Sequence, residues 1–515
     1  MLEDSGGETR SVTAPDDERP QGLLATWAQI KAHFWLRRRV GYGLTLRNVS
    51  MQFDLARWLR SIPAVALVVL VVICAGAYLF SVIHPAGKIG DSRLVMDRAS
   101  GRKFVNANGL LYPVLNGSSA KLIVGMAMDP VAVTHSAIAA RAQGPIVGIA
   151  GAPDEMPVTN GESADVAVCQ KVPLQSVAGH VVVAVLNGGL VFGSRAARMG
   201  PLDAIVGTLD GQTWVIWDGK KSVVDPNDRI VLSALGIDRD VVNHPVPLTP
   251  AFANAVPSNL PLVDPVVPDA GMPSPWNLGQ ALTVGAVVQA QLPGRGQRYY
   301  VVLKDGVQEV APTVAAMLRS ENAFGASEAP MVDPDALAKV PQVTIVQTSQ
   351  YPPAPVHVLS AQDKPVTCWT WQKGRTASSA TMGVVAGSEL PIAPSADGSL
   401  SPVVGAHDGA TVADAVYMAP NAANWVRTTG NSQSAASQES YWWLSPSGSR
   451  FGVNASDNSR ESLGLPADTL PIPWSVLRLF PSGLPPHVEL SKADAMAQHE
   501  NVPTDPAPSA LAPAS

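Results

Sequence analysis

Cys169 and Cys368 stand 199 residues apart in two strand-like runs, DVAVCQKV and KPVTCWTW, while the third cysteine, Cys74, lies in an apolar stretch. A nucleophilic thiol needs a neighbouring base or cation to hold it as thiolate, and neither cysteine has a histidine beside it in sequence. Two lone cysteines in one large region are the pattern of a single disulfide closed in an oxidising compartment. Two buried free thiols are the alternative reading. Other chemistries leave weaker marks. A phosphate-binding loop needs Gly, four residues, then Gly-Lys-Ser/Thr, so that backbone amides and an ammonium surround the phosphates. The two Gly-Lys pairs, Gly87-Lys88 and Gly219-Lys220, have neither the earlier glycine nor the following hydroxyl. The nine histidines are scattered without the short spacing of a zinc site, and Gly-x-Ser-x-Gly does not occur. Asp154 and Glu155 in GAPDEMP are adjacent acids, but beside Pro153 they read as turn residues. The chain therefore reads as a non-enzyme, with no cofactor and no metal expected.

The elements that must carry these residues begin with a membrane span. Residues 62–83, IPAVALVVLVVICAGAYLFSVI, are 22 residues without a charge, enough to cross about 30 Å of hydrocarbon. The span starts too late and runs too long for a cleaved signal. Seven basic residues and one acid occupy 31–60, but Lys88, Arg93, Arg98, Arg102 and Lys103 follow the span. The charge bias therefore favours a cytoplasmic N-terminus only weakly. The two cysteines favour an oxidising compartment for the larger side and point the same way. Residues 1–23 are polar and read as disordered. Residues 24–60 read as a basic amphipathic helix, with Trp27, Ile30 and Phe34 at helical spacing beside Arg37, Arg38 and Arg39. Such a helix either lies on anionic headgroups or docks onto a partner. The net charge of −6 argues against a nucleic-acid partner.

Beyond the span the low charge content of 15%, the 43 glycines and the 45 prolines suit many short strands and tight turns. Four segments share a strand, a Gly-bearing turn, a second strand and an apolar helix-like run, around Gly109, Gly219, Gly306 and Gly448. Gly109 and Gly306 are 197 apart, close to the cysteine spacing of 199, while Gly219 and Gly448 are 229 apart, longer by an insertion. The order predicts a duplication with a pseudo-two-fold axis: repeat 1 over 86–140, core half A over 141–207, repeat 2 over 208–244. A Pro-rich linker over 245–284, with nine prolines from Pro245 to Pro275, then leads to repeat 3 over 285–338, core half B over 339–430 and repeat 4 over 431–482. Residues 483–515 form a C-terminal segment that ends in a disordered tail. A Cys169–Cys368 bond would then staple the halves near the axis.

These pieces, in this order, resemble the EccB family of type VII (ESX) secretion systems. The resemblance is carried by TWAQIKAHFWLRRRVGYGL, GLLYPVLNGSSAKLI, GPIVGIAGAPDEMP, the Cys169/Cys368 pair and FPSGLPPHVELSKADAMAQHE, and it covers about residues 24–500. It implies a single-pass inner-membrane protein with a short cytoplasmic helix, one transmembrane helix and a large periplasmic, mainly-β (α+β) domain. That domain would hold four repeat domains around a central β core. The implied role is a structural subunit that dimerises through its periplasmic domain. Its implied partners are an EccC-type ATPase, EccD and EccE, docked through Trp27, Ile30, Phe34, Arg37, Arg38 and Arg39. Members are catalogued in places as ATPases, a label for which this sequence offers no site. Exposed-looking aromatics such as Trp217, Trp442 and Trp443 raise peptidoglycan as a further partner.

Overall fold

The computed structural model describes residues 26–47, 55–83, 89–173, 180–404 and 412–499. The disorder expected for 1–23 and for the far tail falls outside these residues. The chain divides into two compact units, residues 1–86 and 87–515.

In the first unit the helix expected over 24–60 is shorter. It runs Trp27–Leu46, opened by the Gln29 Oε1 that accepts the Thr26 N–H at 2.9 Å, and ends where Arg47 turns left-handed at φ 49°. Gly41, Gly43 and the β-branched Thr45 weaken its last turns. A second helix, Leu55–Ile83, begins upstream of the uncharged stretch and carries Pro63 inside it, which removes the donor that would have reached the Leu59 carbonyl. Its most apolar window, Ile62–Leu79, is long enough to cross a membrane.

At the centre of the second unit lies a seven-stranded sheet. Its order is Ser401–Pro402, Ala415–Met418, Val182–Asn187, Ser163–Lys171, Val366–Gly374, Thr381–Gly387 and Ala196–Arg198. The two middle strands run antiparallel, with Val168 opposite Trp369 and Cys169 opposite Cys368. Side chains alternate between faces along each strand. One face presents Val166, Val168, Trp369 and Trp371, covered by Phe252, Val426, Leu444, Ile472 and Phe480. The other presents Ala167, Cys169, Val366 and Cys368, with Tyr417 of the strand Ala415–Met418 beside them, covered by Leu190, Phe192 and Leu390. Burial on both sides explains why these strands read as near-continuous apolar runs rather than as alternating ones.

Four smaller sheets follow one plan: a three-stranded antiparallel meander, a helix, then a segment returning parallel to the first strand. The first uses Leu94–Asp97, Lys103–Ala107, Leu110–Val114, the helix Gly117–Val124 and the returning strand Val131–Val133. The second uses Asp203–Leu209, Gln212–Trp217, Lys220–Val224, Arg229–Leu235 and Val246–Pro247. The third uses Val287–Leu292, Gly296–Leu303, Gly306–Val310 and Pro312–Glu321, and returns as a single bridge from Gln289 to Met331. The fourth uses Trp425–Thr429, Ser437–Leu444, Arg450–Val453, Ser459–Ser462 and Leu470–Pro473. In all four a later segment also bridges in parallel to the third strand, as Val114 does with Val147 and Val453 with Leu490. Local chemistry sets the hairpins. Asn108-Gly109 has φ 52° and 79°, and Asp218-Gly219 has φ 49° and 72°, the pair of positive angles that matches strand twist in a two-residue turn.

Packing joins the second sheet to the third and the first to the fourth. Val231 and Leu235 share a core with Val314 and Leu318, and Leu122 and Ile123 enter one with Trp443, Leu463 and Leu490. The Pro-rich stretch over 245–284 is not a bare connection. Thr249 Oγ1 accepts the Phe252 N–H, Pro250 takes the first helical position of Pro250–Ala255, and Phe252 is fully buried in the central core.

Three measurements on the full chain in detergent follow from this packing. Closing a loop of 199 residues constrains the unfolded chain by about 5 kcal/mol in the chain-entropy model. Cys169→Ala, Cys368→Ala and the double variant should therefore destabilise by similar amounts, about 2–5 kcal/mol in denaturant unfolding; a double variant that unfolds like the wild type would exclude a stabilising bond. Phe252→Ala should cost about 3–5 kcal/mol, whereas an unpacked linker would tolerate it. Asp97, 3% exposed, accepts from Ser100 Oγ at 2.7 Å, from the Ala99 N–H at 3.0 Å and from His135 Nδ1 at 3.1 Å. In that order these bonds hold its carboxyl down to about 2. Its unfolded value of about 3.9 lies above this, so its contribution is complete above that pH and is lost as pH falls through about 2. Asp97→Asn should lower stability at neutral pH and flatten the acid limb between about pH 4 and 2; an acid limb identical to wild type would contradict the assignment.

Candidate functional site

Among the described residues no group of three or more His, Cys, Asp or Glu is placed to hold a metal. The chemistry on display is structural. Cys169 and Cys368 are bonded, both fully buried, with Cα atoms 3.9 Å apart. Ser163–Lys171 and Val366–Gly374 bring them face to face because the two strands pair in a single unbroken register.

A second device appears twice. Lys221, opposite Ile216 on its hairpin, lies over the ring of Trp214 at 5.3 Å. Its Nζ donates to the Ala253 carbonyl and to that of Val256 at 3.2 Å, at the end of the helix Pro250–Ala255. Arg450, opposite Leu444 on its own hairpin, lies over Trp442 at 5.5 Å. Its Nη1 donates to the Leu477 carbonyl at 3.1 Å, the last residue of the helix Trp474–Leu477. In each hairpin the tryptophan stands two residues before the residue that faces the cation. A cation over an aromatic face, capping terminal carbonyls, satisfies two demands of a buried helix end at once. Burial pushes the Lys221 ammonium below its ordinary value, and burial with Arg478 nearby does the same to Arg450. Reading the sequence for chemistry missed this pair. Its signal was Trp in the second strand and a cation within the first two positions of the third, in two of the four hairpins.

The residues singled out in the sequence take varied places. Trp27, Ile30 and Phe34 are 75%, 37% and 60% exposed on Trp27–Leu46, where Arg37 and Arg39 are exposed and Arg38 half-buried. Lys31 lies over Trp27 at 5.6 Å and Arg39 over Trp35 at 5.3 Å, each four residues along one face. Leu36 and Val40, 55% and 58% exposed, stand on another side of the helix. The apolar surface therefore wraps farther round than a single stripe. Asp154 holds the start of Gly117–Val124 from outside: its Oδ1 accepts the Gly117 N–H at 2.6 Å and Lys103 Nζ at 2.8 Å. The Lys103 bond leads in lowering its pKa. Gly219 and Lys220 occupy the turn and first position of a hairpin. Of the three tryptophans read as a surface, Trp443 is 2% exposed, with Nε1 donating to Pro157 O. Trp217 and Trp442 are half-buried.

A family model described as "Type VII secretion system ESX-1, transport TM domain B" matches residues 23–504. A Mycobacterium marinum protein named "ESX-5 secretion system ATPase EccB5" is 36% identical over 493 residues, 95% of this chain and 96% of that one. "ESX-2 secretion system ATPase EccB2" of Mycobacterium tuberculosis is 37% identical over 486 residues, 93% and 96% of the two chains. Among solved structures, a chain of an intact ESX-5 inner membrane complex aligns with TM-score 0.72 and 34% identity, covering 96% of this chain and 99% of that one. An EccB3 dimer from the ESX-3 core complex aligns with TM-score 0.69 and 33% identity, over 78% and 99%. With the model and these relatives spanning nearly its full length, the chain belongs to the EccB family of type VII secretion systems.

Proposed function

We propose that this chain is a structural subunit of a type VII secretion inner-membrane complex, with its N-terminal helix in the cytoplasm and its large unit in the periplasm. The observation that carries the reading is the construction of the large unit. Four sheets of one topology surround a central sheet, and second-with-third packing is matched by first-with-fourth packing. We read these matches as a two-fold relation about the Cys169–Cys368 pair, in which the first sheet corresponds to the third and the second to the fourth. The outer strands depart from it, Ala415–Met418 running parallel to Val182–Asn187 while Ala196–Arg198 runs antiparallel to Thr381–Gly387. The same relation turns one packing pair into the other, and it also exchanges the Lys221–Trp214 cap with the Arg450–Trp442 cap. We read the unit as two copies of a half, each of two repeats and half a core. Such a body is a rigid platform with like surfaces on opposite sides, suited to holding several partners at once.

The relatives' solved structures, a dimer and an intact inner membrane complex, support a scaffold that pairs with itself within a membrane complex; the other subunits we propose for it are of EccC, EccD and EccE type. The word ATPase belongs to the relatives' printed names. For this chain no nucleotide role is proposed, since its one Gly-Lys pair among the described residues forms a hairpin turn.

Trp27, Ile30, Phe34, Arg37 and Arg39, exposed on the first helix, and the half-buried Arg38 are assigned to docking on cytoplasmic parts of those partners. Replacing Trp27 and Phe34 by Ser and Arg37, Arg38 and Arg39 by Gln should reduce co-purification of the partner subunits by about tenfold or more while leaving the melting of the large unit unchanged. Undiminished recovery of the complex would end the docking assignment. If the complex is recovered undiminished while the same substitutions abolish binding of a peptide of residues 26–47 to vesicles of anionic lipid, the helix is assigned to lipid instead.

A further inference from the structure

On the disulfide-bearing face of the central sheet lies a cleft of about 190 Å³ that the scaffold reading does not use. Register places its parts. Asp165 pairs with Gln372, which pairs with Thr381, one row from the neighbouring pair of Thr370 and Gly383. One end of the cleft is acidic: Asp165 Oδ2 accepts from Ser163 Oγ at 3.0 Å, while its Oδ1 is buried without a hydrogen-bond partner. No cation pairs with this carboxylate among the described residues, so its charge is left for a donor in the cleft to meet at Oδ2. The other end is basic. Arg198 on the edge strand stacks on Phe192 at 4.4 Å, and no acid lies within ion-pair reach of it among the described residues. Gly383 makes room for it, because a Cβ there would stand 3.3 Å from Arg198 Nη1. Between the ends the floor is polar, with Thr381 and the exposed Gln372 amide.

Strand spacing and rise set the separation of the charges. Asp165 stands two strands and two residues from Gly383, roughly 12 Å between backbones, and Arg198 Nη1 lies beside Gly383, so the two charges are on the order of 10 Å apart once the side chains lean over the cleft. A free amino acid is too short to reach both ends. An extended dipeptide carries its ammonium and carboxylate about far enough apart once a hydrogen bond is added at each end, and its peptide group falls over the polar floor. The volume, about six waters' worth, also suits two small residues. We propose that this cleft binds a short zwitterionic peptide, with the ammonium on Asp165 and the carboxylate on Arg198. The inference is independent of the scaffold role.

The test uses the purified full chain in detergent and glycylalanine as probe, followed by saturation-transfer NMR and titration. Saturable binding is expected. Alanine, the N-acetylated dipeptide and the dipeptide amide should each bind about tenfold or more weakly, because each loses one charge-assisted contact. Asp165→Asn and Arg198→Gln should each weaken glycylalanine to a similar degree, and Asp165→Asn should leave the acetylated dipeptide unchanged. Arg198 is exposed, so Arg198→Gln decides the matter even if the Asp165 variant fails to fold. Melting and an intact disulfide by mass spectrometry report folding for both. Absence of saturable glycylalanine binding, or affinity unmoved by Arg198→Gln, would overturn the proposal.

Discussion

The antiparallel pairing of Ser163–Lys171 with Val366–Gly374 is the constraint on which the large unit depends. Its register has period two, so a slip of one residue would move every side chain to the opposite face. Trp369 and Trp371 would then leave the broad core that also receives Phe252, Val426 and Phe480. They would crowd the thinner layer under Leu190, Phe192 and Leu390. The Cys169–Cys368 bond locks the one register in which both faces are filled by side chains of the right size. Large aromatics on one face and small residues on the other are thus one arrangement with the disulfide.

Around that seam the four smaller sheets show how one plan tolerates change. The hairpins keep their topology whether the turn is the two-residue Asp218-Gly219 or the longer connection before Arg450. The helix-end cap keeps its geometry whether the cation is Lys221 or Arg450. The chemistry is not equivalent, however. The Lys221 ammonium is a compact charge aimed at two carbonyls, while the Arg450 guanidinium presents its plane to Trp442 and to the half-exposed Trp474. The third sheet, whose return is a single bridge, keeps its place because Val314 and Leu318 of its helix are bound into the core of the second.

The first unit works by different physics. In Ile62–Leu79 the apolar side chains are exposed, as suits a helix long and apolar enough to cross a membrane. In Trp27–Leu46 exposed aromatics alternate with cations that lie over them. That keeps a sticky surface soluble without burying it.

The sequence alone settled what neighbours along the chain decide. The apolar run marks a helix long and apolar enough to cross a membrane, and Asn108-Gly109 and Asp218-Gly219 mark hairpins, because turn angles depend on two residues. The near-match of the Gly109–Gly306 spacing to that of the cysteines, with a longer Gly219–Gly448 spacing, pointed to a repeated plan. Ends of elements were less legible. The helix read as reaching residue 60 stops at Arg47, and residues 245–284, read as a linker, hold Phe252 in the core. Only the tertiary structure decided which pieces meet: second sheet with third, first with fourth, Lys221 with the end of Pro250–Ala255, and Asp165 with Arg198 across one cleft. Those outcomes depend on side chains brought together from distant positions by strand register and by the competition for buried volume, and no window of sequence contains both partners.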